Sequence, residues 1–159
     1  MRTFIPTPSI SYFGVGPLKV HFYALFIILG IANAIVIGKQ RFKKDPNLIN
    51  ELSVYVVPAG VIGGRLYHVI TTPEKYFNSN FLHVFAIWEG GMGIWGAIFG
   101  GAITTLIYLK KKRTDISFLE VADALVPGLL IAQGLGRFGN WFNGELFGKP
   151  SKLPWALKI

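Results

Sequence analysis

The sequence predicts an all-α, polytopic membrane protein with about four transmembrane helices. Hydrophobic residues make up 52% of the 159 residues and charged residues only 15%, whereas soluble domains carry roughly 25% charged residues. The apolar residues form long runs, and the basic residues lie in short clusters between those runs. This arrangement is typical of helices that cross a bilayer. A length of this order predicts one transmembrane domain over residues 1–159.

The charge balance and the lack of cysteine exclude several functions. A net charge of +8 would suggest nucleic acid for a soluble protein, but here the bases flank apolar runs, where they direct topology and attract anionic headgroups. We therefore expect membrane lipids, and no nucleic acid, as partners. The chain contains no cysteine, which excludes disulfides, thiolate metal sites and a cysteine nucleophile. No metal and no cofactor is expected.

The first predicted span covers residues 20–38. It contains no Lys, Arg, Asp or Glu and extends about 28 Å at roughly 1.5 Å per residue, which matches one hydrocarbon core. Residues 1–19 predict an irregular interfacial segment without a cleavable signal peptide, because prolines and glycines interrupt it. Tyr23, near the outer end of the span, is typical of an interfacial anchor.

The second predicted span covers residues 52–70. Gly60 and Gly64 have the small-residue spacing that permits close helix packing. Arg65 lies inside the apolar pattern, so its side chain either faces a partner or cavity, or extends to the interface. The pattern leaves both interpretations open. His68, one turn later, is typical of a hydrogen-bonded packing residue.

The third and fourth predicted spans cover residues 92–109 and 119–135. Basic clusters lie in the loops 39–51 and 110–117, and the positive-inside rule places both loops in the cytoplasm. The N-terminus, the 71–91 loop and the residues after the fourth span then face the outside.

A polar loop over residues 136–148 is predicted directly after the fourth span, and it is the candidate functional site. It carries Arg137, Asn140, Asn143 and Glu145 among glycines. An arginine binds phosphate through two points, while amides and carboxylates bind hydroxyls and headgroup oxygens. Ionisable groups beside membrane-spanning sequence are costly, which favours a functional role. Composition alone leaves a polar loop that caps a helix as the alternative.

A dinucleotide site is rejected for this segment. Gly134, Gly136 and Gly139 fit the G-x-G-x-x-G fingerprint, which requires a strand before it and a helix after it. The preceding residues predict a membrane helix, and Pro150 and Pro154 follow.

Residues 136–148, called the signature segment below, closely resemble the signature of the prolipoprotein diacylglyceryl transferase family, Gly-Arg-x-Gly-Asn-x-x-Asn-x-Glu-x-x-Gly. Every fixed position is matched, by Gly136, Arg137, Gly139, Asn140, Asn143, Glu145 and Gly148. Three other segments are similar to family segments, namely residues 21–23, 63–65 and 90–96.

One of these segments departs from the family pattern. The family has Gly-Gly-Met-x-x-His-Gly-Gly, whereas Trp95 occupies the histidine position here and Ala97 replaces the final glycine. If that histidine is a general base in the family, this chain has no such base there. His21 and His68 are alternatives that the sequence does not favour.

The resemblance implies a bacterial inner-membrane enzyme, and the charge pattern predicts that the signature segment lies on its extracytoplasmic side. Such enzymes transfer the diacylglyceryl group of phosphatidylglycerol to the lipobox cysteine thiol of a prolipoprotein signal peptide, the first step of lipoprotein maturation. The implied catalytic residues are Arg137, Tyr23, Asn140 and Glu145, and the implied substrate-binding residues are Arg137, Asn143, Gly139 and Arg65.

The chemistry of these side chains fits that reaction. Arg137 is expected to stabilise the charge that develops on the leaving phosphate. Asn140 and Asn143 are expected to position headgroup oxygens. Glu145 is expected to orient Arg137 or to bind a glycerol hydroxyl, and Tyr23 to hydrogen-bond the phosphate or the substrate.

The family has about seven spans by resemblance, so we expect this chain to be a truncated N-terminal part that is inactive alone. The alternatives are a non-catalytic membrane packing or lipid-binding protein, or a decayed transferase that still binds phosphatidylglycerol. A packing protein has no need for Arg137, Asn140 and Glu145 together, which favours the transferase.

Overall fold

The computed structural model describes residues 5–16, 18–77, 81–86, 91–146, 148–150, 153 and 156–158. Most of these residues are helical, which confirms the predicted all-α class. The order of elements is β1 (Ile5–Pro6), β2 (Tyr12–Val15), β3 (Leu18–His21), α1 (Phe22–Arg41), α2 (Pro46–Thr71), α3 (Glu74–Phe77), a 3-10 turn (Phe81–Phe85), α4 (Ile94–Lys112), α5 (Phe118–Asn143) and β4 (Leu157–Lys158).

Within the described residues, three helices are long and apolar enough to cross a membrane: α1, α2 and α5. The predicted count of about four spans is therefore one more than the structure supports. The third predicted span, residues 92–109, does form helix α4. It has 19 residues, and its last turn carries Lys110, Lys111 and Lys112. The three apolar helices make the chain a membrane protein.

Helix α5 extends beyond the predicted fourth span, residues 119–135. It continues to Asn143, so residues 136–143 are helical and the predicted loop over 136–148 is wrong for that part. The physical reason is that Phe138 and Phe142, which face α1, continue the apolar helical spacing past Leu135.

The described contacts divide the chain into two compact units, Met1–Arg41 with Asp123–Ile159, and Phe42–Ala122. The expectation of a single transmembrane domain stays a prediction. In the first unit, α1 packs on α5 through small residues. A Cβ added to Gly128 would lie 2.7 Å from the Cα of Ala34, and one added to Gly30 would lie 3.1 Å from the Cβ of Ala132. The two backbones are therefore nearly in contact.

Two short sheets complete the first unit. Strands β2 and β3 form an antiparallel hairpin, in which Tyr12 pairs with His21 and Val15 with Leu18. Gly16 has a φ of +60°, a conformation that glycine adopts without strain in a tight turn. Strand β1 pairs in parallel with β4. The hairpin leads directly into α1, and the N–H of Phe22 donates to the Ser11 carbonyl at 3.0 Å.

In the second unit, α2 packs on α4 through glycines. A Cβ added to Gly100 would lie 2.6 Å from the carbonyl oxygen of Ala59. The N–H of Gly93, just before α4, donates to the Gly64 carbonyl at 2.9 Å. Helices inside a bilayer gain no hydrophobic driving force when they associate. Close backbone packing of this kind therefore stabilises the helix pair instead.

The ends of three helices meet in a polar cluster of the second unit. Asp45 caps α2 by accepting from the N–H groups of Asn47 and Leu48 at 3.1 and 3.3 Å. Its other oxygen accepts from Nη1 of Arg113, at the end of α4, at 2.6 Å. Lys44 pairs with Glu120 in the first turn of α5.

We expect Gly100→Ala to destabilise the second unit. The new Cβ would clash with the Ala59 backbone, and overpacking of this kind typically costs about 1–3 kcal/mol. Gly60→Ala is the matched control, because its Cβ would lie 3.5 Å from the Ala97 carbonyl oxygen, an ordinary contact. Thermal unfolding in detergent micelles should rank Gly100→Ala below the parent and Gly60→Ala at or above it. Equal effects of the two substitutions would contradict the packing described.

Stability should also fall in acid because of Asp45. The hydrogen bond from Arg113 holds the pKa of the Asp45 carboxyl below its usual value. A lowered carboxyl pKa stabilises the fold above the unfolded pKa, roughly 3.9, and this stabilisation is lost as the pH falls through the folded pKa. Asn at position 45 keeps a capping oxygen but loses the charge. Asp45→Asn should therefore lower Tm near neutral pH and reduce the further decrease in Tm below about pH 4.

Candidate active site

The signature segment consists of the end of helix α5 and the turn that terminates it. Gly144 has a φ of +63°, and its N–H donates to the Trp141 carbonyl at 3.2 Å. The N–H of Glu145 donates to the Asn140 carbonyl at 3.1 Å. These two bonds form a Schellman motif, which requires the left-handed residue that glycine provides most easily. Gly144 therefore ends the helix, and the turn returns Glu145 beside the last helical residues.

Arg137 is an exposed cation near the end of α5. Its described side-chain hydrogen bond is long, from Nη1 to the Leu146 carbonyl oxygen at 3.5 Å. Among the ion pairs of the described residues, none joins Arg137 to a carboxylate. Most of the donor capacity of the guanidinium is therefore available to an anion, for which its planar fork suits a phosphate.

Glu145 contacts Asn143 rather than Arg137. The Asn143 Nδ2 donates to Glu145 Oε1 at 2.9 Å, and both side chains are exposed. Among the described contacts, none joins Glu145 to Arg137, and both expected roles of Glu145 stay predictions. The amide oxygen of Asn143 and the second carboxylate oxygen of Glu145 are both hydrogen-bond acceptors.

Tyr23 lies in the first turn of α1 and is half-buried against Gly139 of α5. A Cβ added to Gly139 would lie 2.8 Å from Cδ2 of Tyr23 and 3.2 Å from its Cα. Gly139 is buried, so the structure favours a packing role for it over the predicted contact with substrate.

An aromatic cluster that the sequence reasoning missed joins α1 to the signature segment. The rings of Phe22 and Phe142 have centroids 4.8 Å apart, and Phe26 lies 5.6 Å from Phe142 and 6.1 Å from Phe138. The signal was present, because Phe22 and Phe26 share a helix face, as do Phe138 and Phe142. The cluster fixes α5 at the level where Arg137 and Asn140 project.

Trp141 is a second residue that the sequence reasoning missed. Its indole Nε1 is buried and has no hydrogen-bond partner within the described part of the chain. A buried donor without an acceptor is unfavourable and can be satisfied by an oxygen of a bound molecule. The family pattern leaves this position open, so the sequence contained no signal for it.

Arg65, the remaining predicted substrate-binding residue, belongs to the second unit. It is only 6% exposed. Its Nε donates to the Val84 carbonyl at 2.9 Å, its Nη1 to the Gly91 carbonyl at 3.1 Å and its Nη2 to the His83 carbonyl. The sequence left two interpretations of Arg65 open. These hydrogen bonds favour contact with a partner over extension of the side chain to the membrane interface.

His68 and His21, the two alternatives to the family histidine that Trp95 replaces, differ in their surroundings. His68 contacts the buried Tyr76, whose hydroxyl lies 2.9 Å from His68 Nδ1. His21 is exposed and its ring lies 5.5 Å from that of Tyr12. Trp95 is 68% exposed in the first turn of α4. Among the described residues, no group of three or more His, Asp or Glu side chains is placed to hold a metal ion.

The fold and the site define a class of protein. Apolar helices long enough to span a bilayer, one of which carries near its end an exposed arginine with amide and carboxylate neighbours, define an integral membrane protein with a group of polar side chains at a helix end. Residues 11–159 match the family model described as prolipoprotein diacylglyceryl transferase, so the chain belongs to that family.

Several relatives carry the name phosphatidylglycerol–prolipoprotein diacylglyceryl transferase. The chain is 49% identical to the protein of Cutibacterium acnes, covering 98% of this chain and 53% of that protein. It is 46% identical to the protein of Corynebacterium diphtheriae, with 98% and 56% covered, and 44% identical to that of Bifidobacterium adolescentis, with 98% and 47% covered. The chain thus spans about half the length of the relatives it matches.

We expect Gly139→Ala to displace Tyr23. The added methyl group would meet both the ring and the backbone of Tyr23, so the first unit should lose about 1–3 kcal/mol of stability. Gly134→Ala on the same helix is the control, because its Cβ would meet nothing within 4 Å. The measurement is thermal unfolding in detergent micelles. A Gly139→Ala protein as stable as Gly134→Ala would show that α1 and α5 do not approach this closely.

Proposed function

We propose that the protein to which this chain belongs transfers the diacylglyceryl group of phosphatidylglycerol to the lipobox cysteine thiol of prolipoproteins. The observation that carries the proposal is Arg137, an exposed arginine near a membrane-helix end whose described hydrogen bond is a long one to a backbone oxygen. The names of the relatives and the complete signature segment support it. The substrates follow from the same comparison: phosphatidylglycerol and a prolipoprotein signal peptide.

The reaction explains why an arginine is needed. The thiolate sulfur attacks the glyceryl carbon that bears the phosphate ester, a sulfur–carbon bond forms and the carbon–oxygen bond breaks. The bonding electron pair leaves with the phosphate oxygen, and the thiol proton passes to a base, since the thiolate is the nucleophile. The headgroup departs as glycerol 1-phosphate with one more negative charge than the diester. A guanidinium that binds two phosphate oxygens stabilises this added charge in the transition state.

The neighbouring residues supply the contacts that the headgroup needs. The Asn143–Glu145 pair presents acceptors for the hydroxyls of the glycerol headgroup. Asn140 lies one turn after Arg137, so both project from one side of α5. Tyr23 and the indole N–H of Trp141 are donors for phosphate or ester oxygens.

The location follows from the charge pattern of the sequence. With α4 taken as a fourth crossing beside the three apolar helices, the basic loops 39–51 and 110–117 lie on the cytoplasmic side and the signature segment faces outward from the inner membrane of a bacterium. A prolipoprotein exported through that membrane presents its lipobox cysteine on the same side.

The test replaces Arg137 in a bacterium depleted of its own transferase. The chain is expressed as it stands and with the coding sequence that follows Ile159 in its genome, and lipoprotein modification is measured by mass. Arg137→Gln should lower the transfer rate by about 10²–10³-fold, the usual effect of removing a group that stabilises transition-state charge. Arg137→Lys keeps the charge but not the fork, so its loss should be smaller.

Arg41→Gln is the matched control, because it removes one exposed positive charge from the same unit outside the signature segment. It should leave transfer unchanged. We propose that the 159-residue chain alone is inactive and that only the extended form modifies lipoproteins. Modification that survives Arg137→Gln would exclude the proposed role. Binding of phosphatidylglycerol without transfer in every form would identify a lipid-binding relative of the enzymes.

A further inference from the structure

Residues 81–86 and 91–93, called the lead-in segment below, lie between α3 and the start of α4. The buried side chain of Arg65 donates hydrogen bonds to this segment. The Arg65 guanidinium donates to the carbonyls of His83 and Val84 on one side and of Gly91 on the other. Half-buried carbonyls in such a segment need donors, and the His83 carbonyl already accepts from the Ala86 N–H at 3.2 Å within the 3-10 turn. A single arginine provides several donors in a fixed plane.

The burial of this cation is compensated locally. The guanidinium carbon lies 5.0 Å from the ring centroid of Tyr76, which is itself only 5% exposed. A cation over an aromatic face, with carbonyl dipoles in its plane, is stabilised by both kinds of contact. The Tyr76 hydroxyl lies 2.9 Å from His68 Nδ1, so Arg65, His68 and Tyr76 form one connected cluster on α2 and α3.

Two further contacts anchor the end of the lead-in segment. The N–H of Gly93 donates to the Gly64 carbonyl at 2.9 Å. Gly91 has a φ of +76°, and a Cβ added there would lie 2.9 Å from Cε1 of His68. The backbone thus runs against the His68 ring, and α4 begins directly afterwards, with Trp95 exposed in its first turn.

We propose that Arg65 is a positioning residue that fixes the lead-in segment on α2 and thereby sets where α4 begins, and that it does not bind the phosphate of a lipid. The inference goes beyond the proposed function and does not depend on it, because the position of the segment is measurable without transferase activity. It also assigns Arg65 a role different from that of Arg137, although both are arginines in or beside apolar helices.

The test uses the absence of cysteine from the chain. A single cysteine is introduced at Ala86, which is 5% exposed in the lead-in segment, or at Thr105, which is 4% exposed in α4. The rate of maleimide labelling in detergent micelles is then compared among Arg65, Arg65→Lys and Arg65→Gln proteins. Thr105→Cys reports whether the second unit stays folded.

Both Arg65 substitutions should speed labelling at Ala86→Cys by about tenfold or more, because several hydrogen bonds that close the segment are lost, while labelling at Thr105→Cys should not change. Lysine should not restore protection, since a compact ammonium cannot span carbonyls on both sides of the cluster. Arg113→Gln is the control for the loss of one partly buried arginine, and it should leave Ala86→Cys protected.

Four results would overturn the proposal. Unchanged labelling at Ala86→Cys in both variants would show that Arg65 does not hold the segment. Full protection by lysine would show that charge alone suffices. Exposure of both cysteines would make Arg65 a stabiliser of the whole unit instead. The last measurement is binding of the protein to vesicles that contain phosphatidylglycerol. Weaker binding by Arg65→Gln with unchanged labelling would show that Arg65 binds the lipid.

Discussion

Both compact units depend on glycines that allow two helices to approach until backbone meets backbone. In the first unit, Gly128 and Gly139 of α5 bring it against Ala34 and Tyr23 of α1, and in the second unit Gly100 brings α4 against Ala59 of α2. Helices in a bilayer gain little from burying apolar side chains, since lipid is equally apolar, so close packing must supply the specificity. This packing sets the geometry of the candidate site, because Gly139 has no side chain and Tyr23 can therefore lie directly against α5.

The glycines of the signature segment therefore do different work from one another. Gly139 serves packing, and Gly144 ends α5 in a left-handed residue that returns the chain on itself. The side chains with chemical capacity occupy the helix and turn between and beside them. Arg137 projects from a rigid helix, whereas Asn143 and Glu145 form a pair at its end. Rigid placement of an arginine with few competing partners is what anion recognition requires.

Much of this could be predicted from the sequence, and the remainder has identifiable causes. Apolar runs predicted the all-α class and the three helices that are long and apolar enough to cross a membrane, because hydrophobic periodicity and run length are local properties of the sequence. The extension of α5 over 136–143 was missed because polar residues there suggested a loop, while the aromatic contacts that sustain the helix come from α1. Arg65 was left open between two interpretations, since its acceptors are backbone carbonyls far along the chain, which no composition reveals. The indole N–H of Trp141, which finds no hydrogen-bond partner in the part of the chain that the structure describes, is buried by tertiary packing that the sequence does not reveal.

The end of α5 has an electrostatic consequence through its peptide dipoles. The C-terminus of a helix carries roughly half a negative elementary charge, and α5 ends at Asn143, close to where Arg137 reaches the Leu146 carbonyl. An anion held by Arg137 is thus attracted by the side chain and repelled by the helix. Attraction and repulsion both grow with the charge of the anion, and the full charge of the guanidinium outweighs the partial charge of the helix end. Under the proposed reaction, the end of α5 therefore limits how tightly Arg137 holds the dianionic product headgroup.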